Sequence, residues 1–405
     1  MKDLTEWDSK PLSEIVDRPI AYGVLKPAEA ITNGVQMFRI QDFDEDGRLA
    51  NTELHRISRA LDHEFRRTRL REGDLIISVV GTIGKVYEIP NQYSGANVSR
   101  AFCVVGIKER SLREFVKWYL RSPLVEKWIG VVAAGNAQKV LNVGTLSSLN
   151  IPIPNTVERE KISQILSAIE RCIAGSGELL KLKCLQKQGL MQQLLTGKTR
   201  FKEFKGERWR KVGVSDVFEQ VTRRNSTGCH RVLTGSGEHG LIDQRDYYSR
   251  RVASDDVSSY YLVKRGEFAY NRSSSNGYPF GAIKRLNDYE EGVLSTLYLV
   301  FRIRDGVPVD SNFLDHIFES GYFIAQLGRL CREGARSHGL LNITADEFFS
   351  MHMQLPGIKE QQRIEAVLSA CDGEIELLEK QLERLKEQKR GLMQKLLTGE
   401  VRVKL

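Results

Sequence analysis

The sequence lacks the features that would indicate a membrane protein, a metal site or a disulfide-rich fold. No apolar run reaches the roughly 18 residues that a membrane-spanning helix needs. The six cysteines form no Cys-x-x-Cys pair, and the seven histidines show no metal-ligand spacing such as His-Glu-x-x-His. The first residues do not resemble a signal peptide, because no apolar stretch follows Lys2. We therefore expect a cytoplasmic protein with reduced thiols, no bound metal and no membrane partner.

The motifs of nucleotide-using enzymes are missing or stand in the wrong context. No P-loop pattern occurs, so an ATP site is not evident. Gly235–Gly240 fit Gly-x-Gly-x-x-Gly by letter, but a dinucleotide site needs that turn to open an amphipathic helix. The residues that follow, Leu241–Tyr248, have no helical apolar spacing, and Asn276–Phe280 lack the double proline of an amino-methyltransferase motif. The sequence therefore predicts a chain that binds no cofactor and is not an enzyme.

The charge balance is basic, at a formal net charge of +8 and an isoelectric point of about 9.1. Such a balance permits nucleic-acid binding without proving it. No poly-lysine tail or low-complexity tract is present, so any basic surface must belong to a folded part of the chain.

What the chain does contain is a near copy of itself, 202 positions further on. Gly189–Gly197, followed by Arg200, recurs as Gly391–Gly399, followed by Arg402. The same offset relates positions at the beginning and middle of each copy: Trp7 and Trp209, Pro154 and Pro356, Glu158 and Glu360, Ile162 and Ile364. Internal repetition of this extent indicates that a whole pair of domains was duplicated. Each half is large enough for a core of its own.

Each copy begins with a mixed part and ends with a helical part. We predict mixed globular domains at residues 1–153 and 201–355, and long helices at residues 154–200 and 356–405. Within the mixed parts, the sequence predicts paired landmarks. Strands at Gly73–Val80 and Ala101–Val105 are matched by strands at Gly266–Asn271 and Leu297–Phe301. A helix at Leu112–Trp128, interrupted by Pro123, is matched by a helix at Phe313–Leu330. The framing is repeated while the residues between the landmarks differ.

The helical parts carry a coiled-coil pattern. Apolar residues from Ile364 to Leu385 alternate at spacings of four and three, with Glu and Lys beside them. The first copy follows the same frame with polar gaps at Ser176, Lys183 and Lys187. About 40 helical residues span roughly 60 Å, which is more than one small domain can cover. The alternative is two helices that each pack only on their own domain.

These features predict an α+β fold with two mixed domains joined by two long helices. If both helices leave their domains in equivalent ways, a pseudo-two-fold axis relates the halves and the helices form an antiparallel coiled coil.

The order of a variable domain, a proline-led helix ending in Gly-Leu-Met-Gln-x-Leu-Leu-Thr-Gly, and then both again resembles the specificity subunit of a type I restriction-modification system. The resemblance covers essentially the whole chain, and the helix endings at 189–200 and 391–402 both follow the family's pattern. Gly81–Val86 and Tyr247–Asn271 also look like parts of its target recognition domains. The imperfect stripe around Gly175–Gly177 departs from that pattern.

The resemblance implies that each variable domain reads one half of a bipartite, asymmetric site in double-stranded DNA. It also implies that the helices set the distance between the half-sites and dock two methyltransferase subunits, which restriction subunits then join. S-adenosylmethionine, ATP and Mg²⁺ would be bound by those partner subunits, and this chain would be a non-catalytic component. Two alternatives from other classes are an enzyme that modifies DNA by itself and a scaffold that never contacts DNA.

Candidate DNA contacts in the first domain fall in three segments with basic or base-reading residue types. They are Arg66, Arg67 and Arg69; Thr82 and Lys85; and Asn136, Gln138 and Lys139. For each segment a structure without a DNA-binding role is the alternative: a solvated charged face, an ordinary hairpin turn and a loop without DNA contact, respectively.

Candidate contacts in the second domain also fall in three segments, with aromatic, basic and polar residues. They are Tyr247, Arg250 and Arg251; Arg272, Ser274 and Asn276; and Arg332, Arg336 and His338. The segment at 334–339 precedes Leu341-Asn342 as the segment at 135–139 precedes Leu141-Asn142, which favours a shared role. A flexible loop is the alternative.

Overall fold

The computed structural model describes residues 7–26, 29–44, 49–50, 53–134, 140–237, 240–248, 256–274, 277–330, 332–333 and 341–403. The chain divides into two compact units. Unit 1 comprises Met1–Glu178 together with Glu379–Leu405, and unit 2 comprises Leu179–Leu378. Both long helices are therefore shared between the units. None of the helices in the described ranges is long and apolar enough to cross a membrane.

Unit 1 is a mixed α/β domain that leads into the first long helix. Its strands are β1 (Asp8–Pro11), β2 (Ala21–Tyr22), β3 (Val35–Phe38), β4 (His55–Ile57), β5 (Leu75–Ser78), β6 (Val86–Glu88), β7 (Asn97–Val98), β8 (Phe102–Val105) and β9 (Asn150–Ile153). Its helices are α1 (Leu12–Ile15), α2 (Arg59–Glu64), α3 (Arg110–Leu120), α4 (Pro123–Ala134), α5 (Val143–Ser147) and the first part of α6 (Thr156–Leu194).

The central sheet of unit 1 has the strand order β2-β8-β5-β6, and a second sheet has the order β4-β3-β7. The strand β5 is buried at every position, which is why its sequence is a continuous apolar run rather than an alternating one. One core joins this sheet to α3, to Ile162 and Leu166 of α6, and to Met393 and Leu396 of the last helix. The predicted strands at 73–80 and 101–105 and the helix broken at Pro123 are confirmed.

Unit 2 repeats this frame. Its strands are β10 (Arg210–Gly213), β11 (Phe218–Gln220), β12 (Leu233–Ser236), β13 (Gly240–Asp243), β14 (Tyr261–Lys264), β15 (Phe268–Asn271), β16 (Ala282–Arg285), β17 (Glu291–Leu294), β18 (Leu299–Ile303), β19 (Arg332–Glu333), β20 (Leu341–Asn342) and β21 (His352–Leu355). Its helices are α7 (Val214–Val217), α8 (Gln244–Tyr247), α9 (Ser311–Glu319), α10 (Ile324–Leu330), α11 (Ala345–Phe349) and the first part of α12 (Ile358–Leu397).

The sheet β11-β18-β15-β16 of unit 2 has the same strand order as the central sheet of unit 1. The registers also correspond, because Leu75 pairs with Glu88 in unit 1 and Phe268 pairs with Arg285 in unit 2. One prediction was wrong: residues 313–330 form two helices, not one. The backbone turns at Gly321, whose φ of 71° is a left-handed conformation that favours glycine.

The two long helices run antiparallel where they meet inside each unit. In unit 1, Glu170 of α6 pairs with Lys389 of α12 at 2.5 Å, and Glu158 pairs with Arg402 beyond the end of α12. In unit 2, Lys187 pairs with Asp372 at 2.5 Å, and Lys183 pairs with Glu374 at 2.6 Å. The polar gaps at Lys183 and Lys187 are thus filled by ion pairs, and α6 continues unbroken through Gly175–Gly177.

A buried carboxylate near the start of each long helix closes its unit. Glu158 accepts hydrogen bonds from the Trp7 indole (3.2 Å) and from Nε and Nη2 of Arg402 (2.6 and 2.7 Å). Glu360 accepts from the Trp209 indole (3.0 Å) and from Arg200 (2.9 and 2.6 Å). We call these two arrangements the Trp-Glu-Arg clasps. In each clasp the arginine comes from the repeat copy opposite to that of the Trp and Glu, so both copies are needed to close each unit.

Candidate nucleic-acid interface

The loop between β5 and β6 in unit 1 contains Thr82 and Lys85, and both side chains are exposed. The buried Ser78 organises this loop, because its hydroxyl donates to the Thr82 carbonyl and accepts from the Lys85 N–H at 2.9 Å. Gly81 and Gly84 have φ angles of 79° and 89°, which suit glycine. The loop therefore has a fixed backbone that presents two polar side chains.

A second segment reaches the same loop from a distant part of the sequence. Val140 forms a β-bridge with Val80, and the Leu141 N–H donates to the Val79 carbonyl at 3.0 Å. The chain just before Val140 carries the predicted contacts Asn136, Gln138 and Lys139, which lie outside the described residues. The bridge places Val140, which follows those residues in the chain, beside the loop that carries Thr82.

The equivalent hairpin loop in unit 2 joins β15 to β16 and carries Arg272 and the exposed Ser274. The Leu341 N–H donates to the Arg272 carbonyl at 2.8 Å, just as Leu141 donates to Val79 in unit 1. The backbone of Arg332 pairs with Asn342 in the same ladder. Asn276, Arg336 and His338 lie outside the described residues. We call the place where these elements meet the hairpin edge. In unit 1 it comprises residues 79–85 with Val140 and Leu141, and in unit 2 it comprises residues 272–274 and 277–281 with Leu341.

The side chain of Arg272 holds the hairpin edge together. Its guanidinium donates to the carbonyls of Leu297 (2.8 Å), Ile343 (3.0 Å) and Thr296 (3.4 Å). Because three backbone acceptors occupy this group, Arg272 fixes the position of neighbouring residues and has few donors left for a ligand.

A basic segment of unit 1 surrounds α2. Arg66 and Arg67 are exposed in a 3-10 turn at Arg66–Thr68, whereas Arg69 pairs with the buried carboxylate of Asp62. Asp62 also accepts from the buried Asn97 at 3.0 Å, which fixes α2 on β7. Arg69 is therefore a structural partner, whereas Arg66 and Arg67 are exposed to solvent.

Sequence reasoning missed neighbours of these candidates in both units. Arg56 and Arg59 are exposed in the same basic segment of unit 1, and the run of five arginines from 56 to 69 could have drawn attention to them. In unit 2, the exposed Arg224 lies over the Tyr261 ring, with its guanidinium carbon 4.8 Å from the ring centroid. The side-chain amide of the buried Asn225 donates to the Cys229 carbonyl at 2.9 Å and so holds this loop in place. In unit 1 the amide of Asn97 donates in the same way to the Phe65 carbonyl.

An aromatic pair stands at the end of α8. Tyr247 and Tyr248 are 49% and 40% exposed, and their rings pack edge to face at 4.8 Å. Exposed aromatic side chains can stack on unpaired bases or pack on sugars and groove walls. The neighbouring Arg245 is paired with Asp243 at 2.7 Å, and the predicted contacts Arg250 and Arg251 lie outside the described residues.

The glycine-rich segment of unit 2 and the cysteines have residue types that occur in cofactor and metal sites, so their placement bears on enzyme chemistry. Gly235 and Gly240 lie in the paired strands β12 and β13, so the Gly-x-Gly-x-x-Gly match is part of a hairpin and opens no helix. Five cysteines in the described ranges are free, and within those ranges no cluster of three or more metal-binding side chains is found. Burial raises the pKa of the Cys103 thiol to about 12, which keeps it unreactive.

The chain is similar in sequence to proteins named as type I restriction enzyme specificity subunits. Residues 33–182 match the family model described as type I restriction modification DNA specificity domain. The EcoBI specificity subunit of Escherichia coli is 28% identical over 160 residues, which is 39% of this chain and 33% of that protein. The putative MjaX specificity subunit of Methanocaldococcus jannaschii is 22% identical over 98% of this chain and 94% of its own length.

These matches confirm the resemblance to type I restriction-modification specificity subunits. The crystal structure of the S subunit from M. genitalium superposes with a TM-score of 0.54 at 12% identity, covering 98% of this chain and 97% of that one. A chain from a structural study of type I complex assembly superposes with a TM-score of 0.55 at 14% identity, covering 98% of both. The fold is therefore the α+β fold of these subunits. The relatives are named as specificity subunits.

Proposed function

We propose that this chain is the DNA-specificity subunit of a type I restriction-modification complex. The recognition domains at 1–153 and 201–355 each read one half of a bipartite, asymmetric DNA site. The helical parts at 154–200 and 356–405 set the distance between the half-sites and dock two methyltransferase subunits. Restriction subunits complete the complex, and the partner subunits, not this chain, bind S-adenosylmethionine, ATP and Mg²⁺.

The observation that carries this proposal is the hairpin edge, which occurs in equivalent form in both units. In each unit a hairpin loop with polar side chains is bonded to a segment from about 60 to 70 residues further along the chain. The frame is shared, but the residues on it differ: Thr82 and Lys85 in unit 1, Ser274 in unit 2. Two similar frames with different polar residues suit the reading of two different half-sites.

Phosphate contact by the basic segment of unit 1 can be tested through salt dependence. We expect the double variant Arg66→Gln/Arg67→Gln, in the complex with its methyltransferase subunits, to bind DNA less tightly. The slope of log affinity against log salt should fall by about two, because each lost phosphate contact removes about one. The matched control is Lys108→Gln/Arg110→Gln, which removes the same charge from exposed positions at the start of α3. Equal losses in both variants would argue against a specific contact.

Half-site reading can be tested by sequencing methylated bases in a host that carries each variant. Thr82→Ala should relax the methylated sequence in one half-site and leave the other half unchanged. Ser274→Ala should relax only the opposite half, so each variant serves as the control for the other. Arg336→Ala is expected to act on the same half-site as Ser274→Ala. Changes in both halves from a single substitution would contradict one reader per unit.

The number of partners and the absence of intrinsic activity have direct tests. Light scattering of the co-expressed complex should give two methyltransferase subunits per chain, and a value of one or none would count against the symmetric docking. The purified chain alone, with S-adenosylmethionine and DNA, should transfer no methyl group. Salt-dependent DNA binding by the assembled complex would exclude the scaffold alternative, and failure to bind DNA would favour it.

A further inference from the structure

A buried histidine lies where α9 of unit 2 packs against both long helices. His316 is 6% exposed, and among the described residues its Nδ1 has no hydrogen-bond partner. That nitrogen lies 4.0 Å from Oδ2 of Asp372 on α12. An unsatisfied buried nitrogen is uncommon in folded proteins and calls for an explanation.

Charged groups from every neighbouring element face His316. Lys187 of α6 lies 2.5 Å from Asp372 and 3.1 Å from Glu319 on α9. From β16, Lys284 lies 3.8 Å from Glu319, and Arg285 lies 2.9 Å from Asp315 on α9. All of these residues line one cleft of about 420 Å³, which is wide enough for water and protons to enter. We call this set of residues the unit 2 junction.

The junction is balanced only while His316 is neutral. Burial lowers the pKa of His316, and the nearby Lys187 ammonium lowers it further, while Asp372, Glu319 and Asp315 oppose the shift. At neutral pH the imidazole is therefore uncharged, and Asp372 is left to Lys187. A proton on Nδ1 would compete with Lys187 for the same carboxylate and would add a fourth cation to the cleft.

The position in unit 1 that corresponds to His316 holds an indole, which does not titrate. In unit 1, α3 has Trp118 where α9 has His316, because Phe115 and Phe313 occupy matching buried positions in the two helices. Lys389, the repeat counterpart of Lys187, lies 5.6 Å from the Trp118 ring centroid and pairs with Glu170, the counterpart of Asp372. The same helix-to-domain joint is thus built with an indole in one unit and an imidazole in the other.

We propose that His316 is a positioning residue that makes the seating of α9 on the two long helices sensitive to pH, while the equivalent joint in unit 1 is insensitive. Protonation draws Asp372 away from Lys187 and loosens α9 and β16 from α6 and α12. If the chain reads DNA as proposed above, acidification would weaken reading of the second half-site before the first. Only this consequence rests on the proposed function; the joint itself does not.

The direction of the pH effect follows from the lowered pKa. The unfolded chain binds a proton at this histidine at higher pH than the folded chain does. The contribution to stability is therefore complete above the unfolded pKa of about 6.5 and declines as the pH falls below it. A method that measures the stability of each unit separately should detect the loss of stability at low pH in unit 2 alone.

Hydrogen exchange of the full-length free chain provides that measurement. Exchange is followed by mass spectrometry at pH 7.5 and pH 5.5, after correction for intrinsic rates. Peptides that cover α9 and β16 should open several-fold more at the lower pH, while those that cover α3 in unit 1 should show no such increase. An equal increase in both units would overturn the proposal.

The variant His316→Gln, which keeps a polar side chain but does not titrate, should abolish the difference between the two pH values. Persistence of the difference in this variant would also overturn the proposal. NMR titration of the unaltered chain gives an independent check, in which the His316 Cε1–H signal should titrate below pH 6.5. Because neither measurement needs DNA or partners, they stand apart from the tests of DNA reading.

Discussion

The two units share a frame but use opposite charges at the same joint. In unit 1, Lys117 of α3 pairs with Glu88 of β6 at 2.6 Å. In unit 2, Asp315 of α9 pairs with Arg285 of β16 at 2.9 Å, and the sheet registers place Arg285 where unit 1 has Glu88. The geometry of the joint is therefore retained while its chemistry is reversed. Duplication followed by divergence would preserve the backbone frame and leave the residues on it free to change in compensating pairs.

The Trp-Glu-Arg clasps show a smaller difference of the same kind. Both carboxylates are buried, but the arginine of the unit 2 clasp, Arg200, is 17% exposed, while Arg402 of unit 1 is 42% exposed. The hydrogen bond from Arg402 still holds the pKa of Glu158 below its usual range. Solvent weakens an exposed ion pair far more than a buried one, so the clasps should not contribute equally.

The largest expected effect comes from opening a clasp. Arg200→Met leaves the buried Glu360 without its charged partner and should lower the free energy of unfolding by about 3 kcal/mol. Arg402→Met should cost clearly less, because water can replace part of its interaction with Glu158. Urea unfolding measures both, and hydrogen exchange assigns each loss to its unit.

The paired variants Glu360→Gln and Glu158→Gln serve as controls, because they keep the shape of the clasp and remove its charge. Equal losses for Arg200→Met and Arg402→Met would show that solvent exposure does not distinguish the two clasps.

The next effect concerns one glycine in each hairpin edge. Gly281 has a φ of 78°, and a Cβ on it would lie 2.2 Å from the Asn271 carbonyl oxygen. Gly81 has a φ of 79°, but a Cβ there would meet nothing within 4 Å among the described atoms. Gly81→Ala should therefore cost about 1 kcal/mol for the left-handed backbone alone. Gly281→Ala should cost more, because the backbone must also move.

Thermal unfolding of these two variants measures the difference, and DNA binding by the assembled complex tests its consequence. A similar loss in both would mean that the loop of unit 2 relaxes around the added methyl group.

The repeat made much of this fold predictable from the sequence. One offset located both long helices, and the spacing of Leu and Ile in them predicted an apolar stripe that faces the partner helix. Lys183 and Lys187 interrupt the apolar pattern because each meets a carboxylate of α12, which a single-helix pattern cannot reveal. The break at Gly321 was missed because apolar spacing continues across it and only the backbone angle marks the turn.

The roles of individual side chains at the candidate site could not be read from the sequence. The structure bonds Leu141 to Val79 and Leu341 to Arg272, whereas the predicted contacts just before Val140 and Leu341 lie outside the described residues and stay predictions. The pairing of Arg69 with Asp62, and of Arg272 with three carbonyls, depends on tertiary contacts that residue type does not encode. An arginine count therefore overestimates the charge available to a ligand.

The reversed pairs allow a third, intermediate test. Asp315→Lys places two cations side by side and should destabilise unit 2, by about 2 kcal/mol. Adding Arg285→Glu rebuilds the charge order of unit 1 and should recover most of that loss. The mirror pair, Lys117→Asp with Glu88→Arg, should behave alike in unit 1, although Glu114 also contacts Lys117 at 2.7 Å and should reduce the recovery. A double variant that is no more stable than either single variant would show that the joints depend on shape and not on charge pairing.

The smallest effect is a difference in cysteine reactivity with almost no change in stability. Cys172 and Cys184 are exposed on α6, one in each unit, whereas Cys103 lies in the core of unit 1 with a pKa raised to about 12. A thiol reagent at pH 8 should modify Cys172 and Cys184 at similar rates and spare Cys103 until the chain unfolds. Because neither labelled side chain is buried, the free energy of unfolding should change by less than about 0.5 kcal/mol. Mass spectrometry after digestion gives the rate at each position. Similar rates mean that α6 presents an open outer face in both units of the free chain. Slow labelling of Cys172 alone would mean that unit 1 covers its part of α6. The two units would then resemble each other only on the face of α6 that packs against the domain.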